Sequence, residues 1–201
     1  MGILNIQNFL KHKKAQFYTW LLRGEAAHIG KNSVVYPPFH SSGGIRTLYI
    51  GDNICIHAGG WIDTATEYGK EKFDSELKIG DGTYVGHRCH IIVCDKMKIG
   101  RNVTIADNVY ITDNSHGFED ISCGVMSQPL KIPGPVIIED EVWIGERVCI
   151  MPNVTIGKHC VIGANSVVTK DIPPYSVAIG IPARVIKQYN HSTGQWEICK
   201  K

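Results

Sequence analysis

The chain has 201 residues, of which 43% are apolar and 20% charged, and its formal net charge is +2. This composition predicts one soluble domain with its own core and excludes a largely disordered chain. Because the net charge is small and no block of basic residues occurs, nucleic acid is not an expected partner. The seven cysteines include no CxxC pair, and no apolar run is long enough for a membrane span or signal peptide. These features predict a cytoplasmic protein with reduced core thiols.

Residues 1–24 form the first predicted unit, an N-terminal helical cap. Its apolar residues recur at near-helical spacing, and lysines and Arg23 occupy the remaining positions. The apolar residues are Ile3, Ile6, Phe9, Leu10, Phe17, Leu21 and Leu22. We expect the apolar face to cover the open end of the domain that follows. Contact with a membrane surface is the alternative interpretation.

Residues 25–187 form the second unit, in which apolar residues repeat every six positions. The repeat is clearest at Ile138, Ile144, Ile150, Ile156, Ile162 and Val168. A helix and a two-sided strand have other periods, whereas a short strand followed by a corner has this one. Three such sides close a triangular coil, so the sequence predicts an all-β solenoid of about six coils. The remaining residues, 188–201, are expected to form a polar C-terminal tail.

The repeat starts at Ile29 and is interrupted by excursions at 36–48, 63–77 and 114–136, and by a two-residue slip near Asp95. The longest, 114–136, is predicted to be an ordered protruding loop because it contains large apolar side chains and prolines. Asparagine recurs where a corner requires a left-handed backbone, which Asn adopts at little cost. These positions are Asn32, Asn53, Asn102, Asn108, Asn114, Asn153 and Asn165.

Four segments carry a resemblance to a known family: DNSHGFED from Asp113, VWIG from Val142, IGANSVVTKDIPPYS from Ile162 and GIPARVIK from Gly180. They resemble the hexapeptide-repeat O-acetyltransferases, most closely the O-antigen, capsule and colanic acid branch and the maltose and galactoside branch. The resemblance covers roughly residues 50–187. It implies a left-handed parallel β-helix, acetyl-coenzyme A as co-substrate without a metal, a saccharide acceptor, and a homotrimer with sites between subunits.

Acetyl transfer to a hydroxyl requires a base for the hydroxyl proton and donors for the oxyanion. His116 lies at the mouth of the longest excursion and matches the family's catalytic histidine, so we expect it to be the general base. Asp113 is equally suited to orient His116 or to hydrogen-bond its own corner. For the acceptor, the predicted contacts are Asp95, His87, His90 and Gln128. The two histidines stand near the position where relatives place an acceptor-binding asparagine.

The resemblance also implies where coenzyme A binds. Backbone groups at Glu146, Ala164 and Thr169 match the family's binding positions, and the spacing predicts that Glu146 and Ala164 lie in one column. Trp143 is expected to stand outward beside the thioester. The phosphates are expected to meet Lys170, Arg184 and Lys187.

Three other functions compete with this interpretation. A xenobiotic acetyltransferase acting on streptogramin-type antibiotics is the nearest, and the loop after His116 does not decide between the two acceptors. A γ-class carbonic anhydrase would share the solenoid, but it pairs two zinc ligands about five residues apart, where this chain has Ile121. A catalytically silent scaffold that uses the solenoid surface would need neither His116 nor the cofactor column, and the presence of both argues against it.

Overall fold

The computed structural model describes residues 2–199. Helix α1 covers Ile3–Leu22, and a short 3-10 helix covers Val125–Ser127. The strands, in chain order, are β1 (His28–Ile29), β2 (Val34–Val35), β3 (Phe39–His40), β4 (Leu48–Ile50), β5 (Cys55–Ile56), β6 (Gly60–Thr64), β7 (Glu67–Tyr68), β8 (Glu71–Lys72), β9 (Glu76–Ile79), β10 (Tyr84–Val85), β11 (His90–Val93), β12 (Lys96–Ile99), β13 (Thr104–Ile105), β14 (Tyr110–Thr112), β15 (Ser115–His116), β16 (Leu130–Lys131), β17 (Val136–Ile138), β18 (Trp143–Ile144), β19 (Cys149–Ile150), β20 (Thr155–Ile156), β21 (Val161–Ile162), β22 (Val167–Val168), β23 (Ser176–Gly180), β24 (Ala183–Asn190) and β25 (Gln195–Ile198).

Three parallel sheets form the sides of a triangular prism. Sheet A has the order β1-β4-β9-β12-β17-β20, sheet B begins β2-β5-β10-β13-β18-β21-β23, and sheet C runs β3-β6-β11-β14-β19-β22. The chain visits A, B and C in turn, so six coils stack and β23 begins a seventh. The predicted left-handed parallel β-helix of about six coils is confirmed.

The core is a column of branched side chains along the prism axis. Ile105, Ile144 and Ile162 are fully buried, as are the other residues that open each hexapeptide between Ile138 and Val168. Small residues such as Cys89 and Cys160 fill the space beside them. Since burying one such aliphatic side chain is worth about 1.5–3 kcal/mol, this column supplies the main stabilisation of a fold whose strands are mostly very short.

Two edges of the prism position the candidate site. The B–C edge is formed by the corners that follow the strands of sheet B, at 86–88, 106–108, 145–147 and 163–165. The C–A edge is formed by the corners that follow sheet C, at 94–95, 113–114, 151–153 and 169–171.

Left-handed backbone marks many corners, as predicted. Its φ angles lie between 53° and 59° at Asn32, Asn53, Asn102, Asn108, Asn153 and Asn165. Asn114 is not among the residues with positive φ, because the chain leaves the coil there to begin the long loop. Arg88 and Arg147 adopt the same conformation, so the fold imposes this corner geometry even on residues that disfavour it.

Helix α1 packs on the first coil through a narrow strip. Ala15, Thr19 and Leu22 are buried, and Thr19 Oγ1 accepts a hydrogen bond from the backbone N–H of Val35 at 2.8 Å. The helix is confirmed, but the predicted packing face is wrong. Of the apolar residues expected to cover the solenoid, only Leu22 is buried. The small side chains of Ala15 and Thr19 allow the close approach that larger side chains would prevent.

The segment expected to be a C-terminal tail continues the fold instead. Strand β24 crosses the expected boundary at 187 and pairs antiparallel with β23, and β25 pairs antiparallel with β24. Tyr189 contacts Tyr175 and Trp196, with ring centroids 6.4 and 5.6 Å apart, and these aromatic contacts hold the hairpin on the last coil.

Two excursions form ordered projections next to each other. Strands β7 and β8 make a hairpin whose two-residue loop begins at Gly69, which has a positive φ of 59°. The long loop is ordered, as predicted, by the antiparallel pair β15 and β16. Glu71 joins the two projections, since its carboxylate accepts the backbone N–H of Leu130 at 3.0 Å.

Candidate active site

His116 stands where the long loop leaves the C–A edge. It belongs to β15, and its exposed side chain borders a cleft of about 680 Å³ between the loop, the β7–β8 hairpin and sheet C. Trp61, Asp63 and Cys94 also line this cleft. The structure therefore places the predicted base beside a cavity large enough for a small-molecule ligand.

Tyr68, in the hairpin, holds the His116 ring. Its hydroxyl lies 3.3 Å from Nδ1 of His116 and donates a hydrogen bond to the carbonyl oxygen of Met126 at 3.1 Å. A phenol has one proton and a carbonyl can only accept, so the phenolic oxygen is left to accept from Nδ1–H. This pairing favours the tautomer in which Nε2 carries a lone pair and can take up a proton.

Asp113 holds the corner of the preceding coil. Its buried carboxylate accepts the backbone N–H groups of Cys94 and Asp95 at 2.9 and 2.8 Å, and the side-chain amide of Asn114 at 3.0 Å. Among the described residues Asp113 makes no hydrogen bond to His116, and its own corner contributes only the side chain of Asn114. The two-residue slip near Asp95 is thus fixed by a carboxylate from the next coil.

The cleft contains an ionised carboxyl and a neutral thiol. Burial alone would raise the pKa of Asp63, but hydrogen bonds from the hydroxyls of Ser42 and Ser41 and from the backbone of Gly43 outweigh it and lower that pKa. Burial, reinforced by the neighbouring Asp113 carboxylate, raises the pKa of Cys94 to about 12. At neutral pH Cys94 is therefore not a thiolate nucleophile.

The predicted acceptor residues fall in different places. Asp95 is half-buried on the C–A edge, one coil before the corner that leads to His116. The ring of His90, on sheet C, lies 5.9 Å from that of Trp61 in the cleft wall. Gln128 is buried within the long loop, where its side chain makes two hydrogen bonds with the backbone of Asp120 at 3.1 and 2.8 Å. Gln128 therefore braces the loop.

His87 lies on the B–C edge, in the column that contains the predicted cofactor positions. The strand registers place His87, Asp107, Glu146 and Ala164 in four successive coils, so they span about 14 Å. The predicted stacking of Glu146 and Ala164 is confirmed by this register. Asp107 accepts the backbone N–H of His87 at 2.8 Å and lies 3.3 Å from its ring.

His57 continues this edge and was missed by the sequence analysis. Its ring centroid lies 4.5 Å from that of His87, and its Nδ1 atom is buried without a hydrogen-bond partner in the part of the chain that the structure describes. Burial, and next the adjacent His87, lowers the pKa of His57. A neutral imidazole, that of His57, therefore lies at the N-terminal end of the column, next to His87.

The C-terminal part of the column, at Glu146 and Ala164, has backbone N–H groups without hydrogen-bond partners among the described residues. In the described structure, the N–H groups of Glu146 and Ala164 make no hydrogen bond. Both residues are exposed at the corner, so these N–H groups are accessible. At His87, the corner N–H is satisfied by the carboxylate of Asp107 in the next coil. Above Glu146 the next coil has Ala164, so no such carboxylate is available. These N–H groups can donate to a bound ligand.

The other predicted cofactor residues are exposed toward the C-terminal end of the prism. Trp143 stands outward on sheet B, as expected, with 55% of its surface exposed. Thr169 and Lys170 follow β22 on the C–A edge, and both are exposed. The remaining two, Arg184 and Lys187, lie exposed on β24.

The two parts of the candidate site lie on different edges. His116 and the cleft belong to the C–A edge, whereas Glu146 and Ala164 belong to the B–C edge, on the other side of sheet C. A side of the triangle measures roughly 15 Å, which is beyond the reach of one imidazole. Within one chain, the base and the exposed N–H column are not brought together.

Two negative findings concern residues 2–199. No three His, Cys, Asp or Glu side chains lie close enough together to hold a metal ion. No helix is both long and apolar enough to cross a bilayer.

Comparisons with known proteins agree with the fold. A family model described as bacterial transferase hexapeptide (six repeats) matches residues 135–170, and a model of the hexapeptide repeat of succinyl-transferase matches residues 76–113. A hexapeptide-repeat acetyltransferase from Vibrio cholerae, solved with acetyl-coenzyme A, is 30% identical with a TM-score of 0.58, and the match covers 88% of this chain and 78% of that one.

A galactoside O-acetyltransferase from Lactococcus lactis is 30% identical over 172 residues, which are 86% of this chain and 68% of that protein. The chain belongs to the hexapeptide-repeat acetyltransferase family. The Escherichia coli putative lipopolysaccharide biosynthesis O-acetyltransferase WbbJ is 41% identical over 124 residues, which are 58% of this chain. The aligned part of this family member spans 63% of WbbJ, and 52% and 61% of the next two curated relatives.

Proposed function

We propose that this protein transfers the acetyl group of acetyl-coenzyme A directly to a sugar hydroxyl, with His116 as general base. The observation that carries the proposal is the hydrogen-bond chain from Met126 through Tyr68 to Nδ1 of His116, beside a cleft of about 680 Å³. Because Nδ1 is occupied by Tyr68, Nε2 is the atom free to accept a proton. Family membership supports acetyl transfer as the reaction.

His116 acts twice in this mechanism. Its Nε2 atom accepts the proton of the acceptor hydroxyl while that oxygen forms a bond to the thioester carbonyl carbon. When the carbon–sulfur bond breaks, Nε2 returns the proton to the departing sulfur. No acetyl-enzyme is formed, in keeping with the neutral state of the Cys94 thiol in the cleft.

The B–C edge provides the place for coenzyme A. The unpaired N–H group of Ala164 is suited to an amide oxygen of a pantetheine arm that follows the edge. In the segment 143–146, the N–H groups of Trp143 and Gly145 already donate to the next coil at 2.9 and 2.8 Å. The N–H of Glu146 is therefore the donor that stabilises the oxyanion, and the outward ring of Trp143 shields the thioester. Exposed Arg184 and Lys187, on β24 at the end of sheet B, bind the phosphates, and Lys170, which lies on the C–A edge, does so from the adjacent subunit.

The acceptor is a saccharide or a precursor of a surface polysaccharide. Two similar proteins are named as acting in lipopolysaccharide biosynthesis and on galactosides. The cleft fits such a ligand, since Trp61 supplies an aromatic wall and Asp63 is an ionised hydrogen-bond acceptor. Asp95 and His90 lie close enough to this wall to contribute. His87, on the cofactor edge, contacts the acceptor from the adjacent subunit.

The active unit is a homotrimer. One chain carries the base on the C–A edge and the cofactor column on the B–C edge, so neither edge forms a complete site alone. Packing the C–A edge of one subunit against the B–C edge of the next completes three equivalent sites. A stable monomer that retained acetyl transfer would contradict this arrangement.

Release of free thiol from acetyl-coenzyme A, measured across a panel of mono- and oligosaccharides, tests the function. We expect thiol release that depends on one class of sugar, together with a product that carries one acetyl ester. Transfer to a streptogramin and to no sugar would replace the proposal by the xenobiotic alternative. Absence of transfer to any acceptor, with coenzyme A still bound, would favour a binding role.

A further inference from the structure

Within residues 2–199, nothing covers the outer face of α1. Its members are Ile3, Ile6, Phe9, Leu10, Phe17, Trp20 and Leu21, each with 45% to 76% of its surface exposed. With 3.6 residues per turn, these side chains centre on the side of the helix opposite to Ala15, Thr19 and Leu22, which pack on the first coil. In the part of the chain that the structure describes, one side of the helix is therefore packed, and the apolar outer side is not.

The charge of α1 is entirely basic. Lys11, Lys13 and Lys14 lie in the helix, which has no Asp or Glu, and their charge exceeds the net charge of +2 on the whole chain. Lys11 lies over the ring of Tyr36, and the following Arg23 donates to the carbonyls of Ile29 and Gly30, so Lys13 and Lys14 are the cations beside the outer face. Aromatic side chains on one face with lysines on and around it are typical of helices that lie in the plane of a membrane interface. Negative lipid headgroups are the surface that this charge complements.

Lys13 distinguishes a lipid partner from a protein partner. Its Nζ atom lies 5.6 Å from the ring centroid of Phe9, within the apolar face. If a second copy of the helix covered this face, the ammonium group would be buried against apolar side chains at a considerable desolvation cost. In a bilayer interface the same side chain extends to a phosphate while its methylene groups remain in the apolar layer.

We propose that the outer face of α1 docks on an anionic lipid bilayer. Phe9, Phe17 and Trp20 lie at the level of the upper acyl chains, and Lys13 and Lys14 contact lipid phosphates. Phe17 and Trp20 are stacked with ring centroids 5.8 Å apart, so they present one continuous aromatic surface. This attachment does not depend on the proposed acetyl transfer, and it would hold the solenoid at the membrane surface.

Flotation of the full-length protein with lipid vesicles tests the proposal. We expect it to float with vesicles containing about one quarter phosphatidylglycerol, to bind phosphatidylcholine vesicles at least tenfold more weakly, and to lose most anionic binding at high salt. The double variant Phe17→Glu, Trp20→Glu should lose binding to both vesicles. Lys13→Glu, Lys14→Glu should lose the preference for anionic lipid. The matched control is Ile198→Glu, at a residue with 76% exposure on β25, and it should bind as the unchanged protein does.

Thermal melting and solution mass of each variant complete the test. The proposal would be overturned if the unchanged protein floated with neither the anionic nor the phosphatidylcholine vesicles. It would also be overturned if the Phe17→Glu, Trp20→Glu variant floated as the unchanged protein does. A variant that melts normally but has a smaller oligomeric mass would also overturn it, because a second copy would then cover the face. Thiol-release activity is measured separately, so failure of the lipid proposal and failure of the acetyltransferase proposal are distinguishable.

Discussion

The hydroxyl of Tyr68 lies 3.3 Å from Nδ1 of His116, although 48 residues separate them in the chain. Each residue belongs to a projection outside the six-residue repeat, and the two projections are also joined by the hydrogen bond from Leu130 to Glu71. Tyr68 is a positioning residue in our mechanism: it touches neither substrate and acts by fixing the tautomer and orientation of the base.

Tyr68→Phe should therefore reduce turnover on the order of tenfold, since the ring remains but the hydrogen bond to Nδ1 is lost. We expect KM for acetyl-coenzyme A to stay the same and the acid side of the pH–rate profile to change. Steady-state kinetics over a range of pH provide the measurement. Tyr49→Phe is the control, because Tyr49 lies on sheet A, away from the cleft. Unchanged turnover in Tyr68→Phe would remove this residue from the mechanism.

His116→Ala should lower turnover by on the order of 10²-fold or more while coenzyme A binds nearly as before. The loss is confined to the transition state because the imidazole contributes no cofactor contact in the proposal. Calorimetry gives the binding and thiol release gives the rate. His159, an exposed histidine paired with Glu141, provides the control variant His159→Ala. A His116→Ala enzyme with near-normal rates would rule out His116 as the base.

Ala164→Trp should abolish coenzyme A binding, because the indole would fill the B–C edge beside the exposed N–H groups. The sample must still be trimeric, which a mass measurement establishes. Lys31→Trp introduces the same indole at an exposed corner of the first coil and should bind normally. Tight binding to a trimeric Ala164→Trp protein would move the cofactor path to another edge.

The Asp63 carboxyl gives a stability prediction with a defined pH dependence. Its folded pKa is lowered by hydrogen bonds from Ser42, Ser41 and Gly43, so the ionised form stabilises the fold above the unfolded value of about 3.9. This contribution is lost as the pH falls from about 4 through the lower folded pKa. Asp63→Asn should thus cost about 2 kcal/mol at pH 7 and progressively less under acid conditions. Denaturant unfolding of both proteins at several pH values measures this cost. A difference in their unfolding free energies that stayed constant with pH would contradict the stabilising role of the ionised carboxyl.

The repeat was predictable because each hexapeptide carries its own local signal. Ile144 and Ile162 open successive copies, and their burial and stacking follow from the period alone. The same period predicted the column of Glu146 and Ala164. His116 was predicted as the base because its motif resembles a family, and its position at an excursion agreed with that resemblance.

The contacts outside the repeat were not predictable in this way. The pairing of Tyr68 with His116 depends on how two projections meet, and no periodicity connects them. The two-residue hairpin loop at Gly69 was a usable local signal for the first projection. On α1, apolar residues occupy both sides, so their spacing could not identify the packed side. There the small side chains of Ala15 and Thr19 decide the contact.

The antiparallel hairpin of β24 and β25 has a consequence for how copies of the protein meet. A stack of parallel coils ends in a strand whose N–H and C=O groups could pair with the first coil of another molecule, and repeated pairing of that kind builds a filament. Strand β24 occupies the free edge of β23 with the opposite direction, and α1 packs across the first coil. In sheet B, the first strand is therefore covered by the helix and the last edge runs antiparallel to the coils, which disfavours end-to-end stacking of copies through this sheet.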